Sequence, residues 1–145
     1  MQVLAIDPGT HESGYCLYDG KVISSGVMPN EDLLKIVADD RSDVLAIEKI
    51  VSYGSSVGQE TFDTCVWIGR FLQAWGCPED VMLIPRRKVK AEICGKGNWG
   101  DPDVRKALIA RVGPQGSKKE PGPTYGVKSH AWSALGVAVT ASAQG

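Results

Sequence analysis

Two acidic residues stand where an aliphatic side chain is the ordinary choice. Asp7 closes the apolar run Val3-Leu4-Ala5-Ile6 and is followed at once by Pro8-Gly9, and Glu48 directly follows Val44-Leu45-Ala46-Ile47. A strand buried on both faces continues with aliphatics, because a carboxylate taken out of water is costly. At the end of a strand the carboxylate can leave the core while its backbone stays paired. Singly, each has a plain explanation: an Asp in a turn, and a strand emerging into solvent. As a pair at the same end of neighbouring strands they can share a divalent cation, since hard ions such as Mg²⁺ or Mn²⁺ take oxygen ligands.

The basic residues are gathered elsewhere in the chain. Sixteen Lys and Arg against 17 Asp and Glu give a net charge of -1, which taken alone argues against a strong polyanion binder. Residues 1–85 carry 5 basic and 13 acidic side chains, however, and residues 86–119 carry 10 basic and 3 acidic. An acidic half to hold metal and a basic half to grip phosphates is the charge plan of a metal-dependent nuclease. Cys16, Cys65, Cys77 and Cys94 are too widely spaced for a CxxC signature and are expected as buried, reduced thiols. No apolar run approaches the roughly 18 residues that cross a bilayer, and MQVLAIDPGT lacks the pattern of a signal peptide. A cytoplasmic protein is expected, with no membrane partner and no small-molecule cofactor.

The elements that must position these side chains follow from periodicity. VLAID, then SGYCLYDGKVISSGV with a hairpin signal at Asp19-Gly20, reads as three strands in a meander. Asn30 is placed to cap a helix over Glu31–Ala38, and DVLAIEKI is a fourth strand. After the Gly54–Gly58 loop, Phe62, Cys65, Val66, Ile68, Leu72 and Trp75 recur at helical spacing up to Gly76, the pattern of a long, mostly buried helix. VMLIP is a fifth strand, with Pro85 barring a central place at its end. Helices are expected at about 86–94 and 102–112, a flexible loop over 113–126, and an apolar final helix in SHAWSALGVAVTASA. With 43% hydrophobic and 23% charged residues in 145, the chain is not disordered and forms one α/β domain over 1–145, its mixed five-stranded sheet covered by helices.

AIDPGT with SGY shortly after it, LAIEKI, PRRKVKAEICGKGNWGDPDVRKALI and SHAWSALGVAVTA resemble, in this order, the four successive blocks of RuvC-type Holliday junction resolvases of the RNase H-like superfamily. The resemblance spans nearly the whole chain, and the short loops suggest a compact, phage-encoded member. It implies an RNase H-like fold, Asp7 and Glu48 as ligands of Mg²⁺ or Mn²⁺, and a homodimer. That dimer would resolve four-way DNA junctions by paired symmetric nicks, leaving 5′-phosphate and 3′-hydroxyl ends. Where the family opens its last helix with Asp-x-x-Asp, this chain has His130 and Ser133. His130 can ligate metal as a neutral imidazole, whereas Ser133 cannot restore a carboxylate's charge.

Lys90 falls where the family places a lysine near the scissile phosphate. A second family lysine corresponds to Asp101 here, with Lys96 close by. Arg86, Arg87, Lys88, Arg105, Lys118 and Lys119 are then phosphate contacts, and Tyr53 is the nearest aromatic to the place of a junction wedge. Phe62, Val66, Trp67, Arg70 and Phe71, on the helix after Gly58, form the expected dimer face. Two other readings stay open: an RNA-processing nuclease of the YqgF type, and a junction-binding protein impaired in chemistry by Ser133. An actin-like ATPase is a distant fourth reading, because 145 residues supply no second lobe.

Overall fold

The computed structural model describes residues 1–145. Five strands, β1 (Val3–Asp7), β2 (Glu12–Tyr18), β3 (Val22–Pro29), β4 (Val44–Lys49) and β5 (Val81–Pro85), form one sheet in the order β3-β2-β1-β4-β5. β1 pairs antiparallel with β2 and parallel with β4, and β4 pairs parallel with β5. This is the mixed sheet with helices on both faces that the sequence implies.

Strand alternation sorts the core into two halves. Leu4, Ile6, Leu45 and Ile47 face α1 (Asn30–Asp39) and α2 (Gln59–Trp75), together with Leu33, Val37 and Phe71. Val3, Ala5 and Ala46 face the other way, onto α5 (Ala131–Gln144). Continuing that period by one step in each strand puts Asp7 and Glu48 on the α5 side, at the carboxyl ends of β1 and β4. Ten of the 14 residues of α5 are buried, because the helix has the sheet on one side and α3 (Arg86–Cys94) and α4 (Asp101–Val112) on the other. Gly136 makes that sandwich close: a β-carbon there would come within 3.1 Å of Val89. No helix is long and apolar enough to cross a membrane.

Three local expectations change. Asn30 does not cap α1. It is the helix's first residue, Pro29 precedes it, and its side chain turns inward to donate to the Gly9 carbonyl and accept from the Ser13 hydroxyl. α2 is not mostly buried, since within this chain only one stripe meets the sheet and only Thr64 and Phe71 are buried. Phe62 and Val66 remain 56% and 62% exposed. Phe71, in turn, is wholly core and cannot belong to a dimer face. Of the four cysteines only Cys16 is buried, while Cys65 and Cys77 are exposed on and after α2. Residues 113–126 contain neither helix nor strand, as a loop should, and fold back through a Gly116–Pro121 bridge and a buried Thr124 whose hydroxyl donates to Gly113.

Candidate functional site

The turn after β1 is held by a small buried network. The Gly9 amide donates to Ser13 Oγ at 3.1 Å, Ser13 donates to Asn30, and Asn30 Nδ2 returns to the Gly9 carbonyl at 2.9 Å. The Pro8-Gly9 turn is therefore rigid, and Asp7 in front of it has little freedom. Opposite Asp7 on β2 lies Gly14, the one residue type that lets the chain before α5 come down onto the sheet. A β-carbon at Gly14 would stand 2.3 Å from the His130 carbonyl oxygen. That approach brings His130 Nδ1 to 3.0 Å from Asp7 Oδ2, joining residues 123 apart in sequence. Ser129, beside it, takes φ 51°, a left-handed conformation uncommon for a residue other than glycine.

Asp7 and Glu48 are both nearly buried, 9% and 8% exposed. The Asp7 carboxyl is pushed up to about 8, by burial first and then by hydrogen bonding to Glu48 and by its charge, with Arg86 pulling the other way. Arg86 supplies the nearest countercharge: Nη1 donates to Glu48 Oε1 at 3.3 Å, and Nη2 donates to Asp101. A cleft of about 370 Å³ opens here, lined among others by Glu48, Arg86, Lys90, Arg105, His130 and Ser133. The Arg105 guanidinium lies 5.0 Å from the centre of the Trp132 ring. On the other side of His130 a second hollow holds Asp7, His11 and Glu12.

The chemistry of this donor set suits a divalent cation. Two hard carboxylates lie side by side in poor contact with water, and a neighbouring positive charge relieves that arrangement. The imidazole at Asp7 adds a third donor, and a histidine bonded to a carboxylate through one nitrogen leaves the other nitrogen for a ligand. No three His, Cys, Asp or Glu side chains are arranged as a ready cage, and Arg86 occupies the Glu48 side instead.

The expected residues thus separate into groups. Asp7, Glu48, His130, Ser133 and Lys90 come together at one end of the sheet. Arg86 is paired with Glu48 and Asp101, and Arg105, exposed on α4, lies against the Trp132 ring. Arg87, Lys96 and Tyr53 line an adjoining cleft. Lys88 is exposed on α3, while Lys118 and Lys119 sit on the 113–126 fold and line neither cleft. Sequence reasoning missed Trp99, which lines the cleft of Arg87, although a lone Trp in the polar loop GKGNWGDP was a signal. It also missed the Arg86–Asp101 pair, whose partners lie 15 residues apart and meet only through α3 and α4.

No family model matches the sequence, and no curated protein does. Among solved structures, Thermus thermophilus RuvC in complex with a Holliday junction substrate superposes with a TM-score of 0.72 at 18% identity, over 97% of this chain and 92% of that one. A second Thermus thermophilus RuvC structure gives 0.69 at 19% identity over the same shares. At such identity the likeness is one of fold.

Proposed function

We propose, from the RuvC fold that this chain shares, that it is a structure-selective endonuclease that cuts branched DNA, four-way junctions above all, with Mg²⁺ or Mn²⁺. The observation that carries this reading is the placement of Asp7 and Glu48 on one face at adjacent strand ends, with His130 bonded to Asp7 and a cationic cleft alongside. Asp7, Glu48 and His130 would hold the metal, which when bound activates water and neutralises the leaving 3′ oxygen. Lys90, on the first turns of α3, faces the cleft and offsets the charge that builds on the phosphate. Arg86 neutralises Glu48 and is held in place by Asp101. Arg105, Arg87 and Lys96 grip the backbone without reading sequence. Nicks would carry 5′-phosphate and 3′-hydroxyl ends. Resolution needs two symmetric cuts, and a homodimer matches the two-fold symmetry of the junction.

The test is cleavage of a four-way junction, a duplex and a structured RNA in Mg²⁺ and in Mn²⁺. Junction-selective nicking, lost in Asp7→Asn and in Glu48→Gln with binding retained, is the expected result. More than about a tenth of the activity left in either variant removes that residue from the metal site, since a primary ligand is worth several kcal/mol. Preference for the RNA would move the reading to an RNA-processing nuclease. A specific observation favours a second reading, binding without chemistry: Glu48 is already paired with Arg86, and Ser133 offers no charge at the cleft. Tight junction binding with no nick in either metal would establish it.

A further inference from the structure

Beside the carboxylate cleft lies a second one, of about 460 Å³, whose aromatic walls, Tyr53 and Trp99, the proposed chemistry leaves unused. Arg86, Arg87, Lys90 and Lys96 line it, with Tyr53 and Trp99 as its aromatic members and no carboxylate among its walls. Its composition differs from that of its neighbour, where Glu48 and Asp101 share the lining. A cleft that is cationic and aromatic together fits a ligand that is anionic and planar together.

Trp99 is built as a platform. Its indole Nε1 donates to the Gly95 carbonyl at 3.0 Å, so the only polar atom of the ring is already satisfied. Gly97, with φ 144°, curls so close that a β-carbon would sit 3.0 Å from the ring. The indole is thereby fixed at its edge, only half-buried, and absent from both halves of the core. What it still offers is a face. Tyr53 is differently disposed, since the Arg87 guanidinium already lies 4.1 Å from its ring centre. The Tyr53–Arg87 pair is a wall with a fixed cation, and Trp99 is the surface left for stacking. Arg86 and Lys90 line both clefts, so the Trp99 cleft adjoins the one that Glu48 and His130 line.

We infer that the Tyr53–Trp99 cleft receives one unpaired nucleotide of a DNA strand, its base stacked on Trp99 and its phosphates held by Arg87, Lys90 and Lys96. The inference rests on the nuclease reading for its choice of DNA and names the feature of the substrate that the protein selects: a base freed from pairing next to the cut. Because every base has a π-face, the pocket is tolerant of sequence. Lys96 and Arg87 add salt-dependent affinity.

The test measures binding in EDTA, so that cutting plays no part. A labelled short oligothymidylate, the same oligomer with abasic sites and a blunt duplex of equal length are titrated by anisotropy, with intrinsic Trp fluorescence followed alongside. The oligothymidylate should quench the fluorescence and bind about tenfold or more tighter than its abasic counterpart. Trp99→Ala should remove that advantage and leave duplex affinity within about twofold. Trp99→Phe should keep the binding and lose the quenching. Equal affinity of the wild-type protein for normal and abasic strands overturns the pocket, without any variant having to fold. So does a Trp99→Ala protein that loses strand and duplex alike, or an oligouridylate that binds far better than oligothymidylate. Base-dependent binding in a protein that cuts nothing keeps the pocket and removes the nuclease. Junction cutting with no base dependence does the reverse.

Discussion

With its ordinary value at 3.8 and its folded value at about 8, the Asp7 carboxyl is favoured in its protonated form by burial in the fold. Its contribution to stability is therefore complete below the unfolded value and is lost as pH rises through the folded one. Between these limits the cost of protonating the carboxyl on folding grows with pH, and above the folded value it is complete, so replacing the group should help. Asp7→Asn in EDTA is expected to unfold about 5 °C higher than wild type at pH 8, with the difference closing toward pH 4. A lower melting temperature at pH 8 would contradict the electrostatic account. The same scale decides the meaning of Ser133, which faces the cleft of Glu48 and His130 without a charge. With two carboxylates and an imidazole, the site should bind Mn²⁺ more tightly than Mg²⁺, because imidazole is the softer donor. Ser133→Asp should narrow that gap, tightening Mg²⁺ by about tenfold in calorimetric titration. Unchanged affinities would show that the start of α5 takes no part in holding metal.

The elements explain how far the sequence could be read. β1 and β4 announce themselves as apolar runs, and their period of two places Asp7 and Glu48 on one face. α5 was legible as an apolar helix, and His130 and Ser133 as residues one turn apart at its start. Asn30 was misread because a cap and an inward hydrogen bond use the same side chain, and only the fold shows that the Gly9 turn lies within reach. α2 was misread because aromatic and aliphatic residues at helical spacing look alike whether they meet the same chain or another. Its exposed Phe62 and Val66, with Arg70 set 4.1 Å from the Trp67 ring, form an apolar face with a cationic edge. If that face joins two copies, light scattering should give twice the 15.5 kDa of one chain, and Val66→Glu should return it to one. A wild-type mass of a single chain, with and without junction DNA, would refute the pairing. The contact of α5 with β2 makes its own demand. Gly14→Ala must push His130 away from Asp7, so it should cost about 2 kcal/mol or more in denaturant unfolding and loosen metal binding. A variant as stable as wild type would mean that the helix start can shift freely.

At the scale of the whole molecule, the near-zero net charge hides a division between acidic and basic halves of the sequence. The fold does not keep them apart: it brings the basic α3 and α4 up to the carboxylates of β1 and β4, so that a polyanion can approach a site that would otherwise repel it. If six to ten phosphates are gripped, junction affinity should fall by roughly 10³ to 10⁵ between 50 and 200 mM salt. A flat salt response would mean that the cationic clefts do not carry the binding. The contact between His130 and Asp7 has a further bearing, on the life of the chain as it is made. During synthesis the amino-terminal strands leave the ribosome first, at about 5 to 20 residues per second. For most of that time the nascent chain carries both carboxylates without the imidazole. It also lacks α5, against which β1, β2 and β4 and the two basic helices pack. The sheet has no second cover and Asp7 no imidazole partner until residues 130 to 144 have emerged. The partner of Asp7 and the second cover of the sheet thus arrive together, in one late segment of the chain.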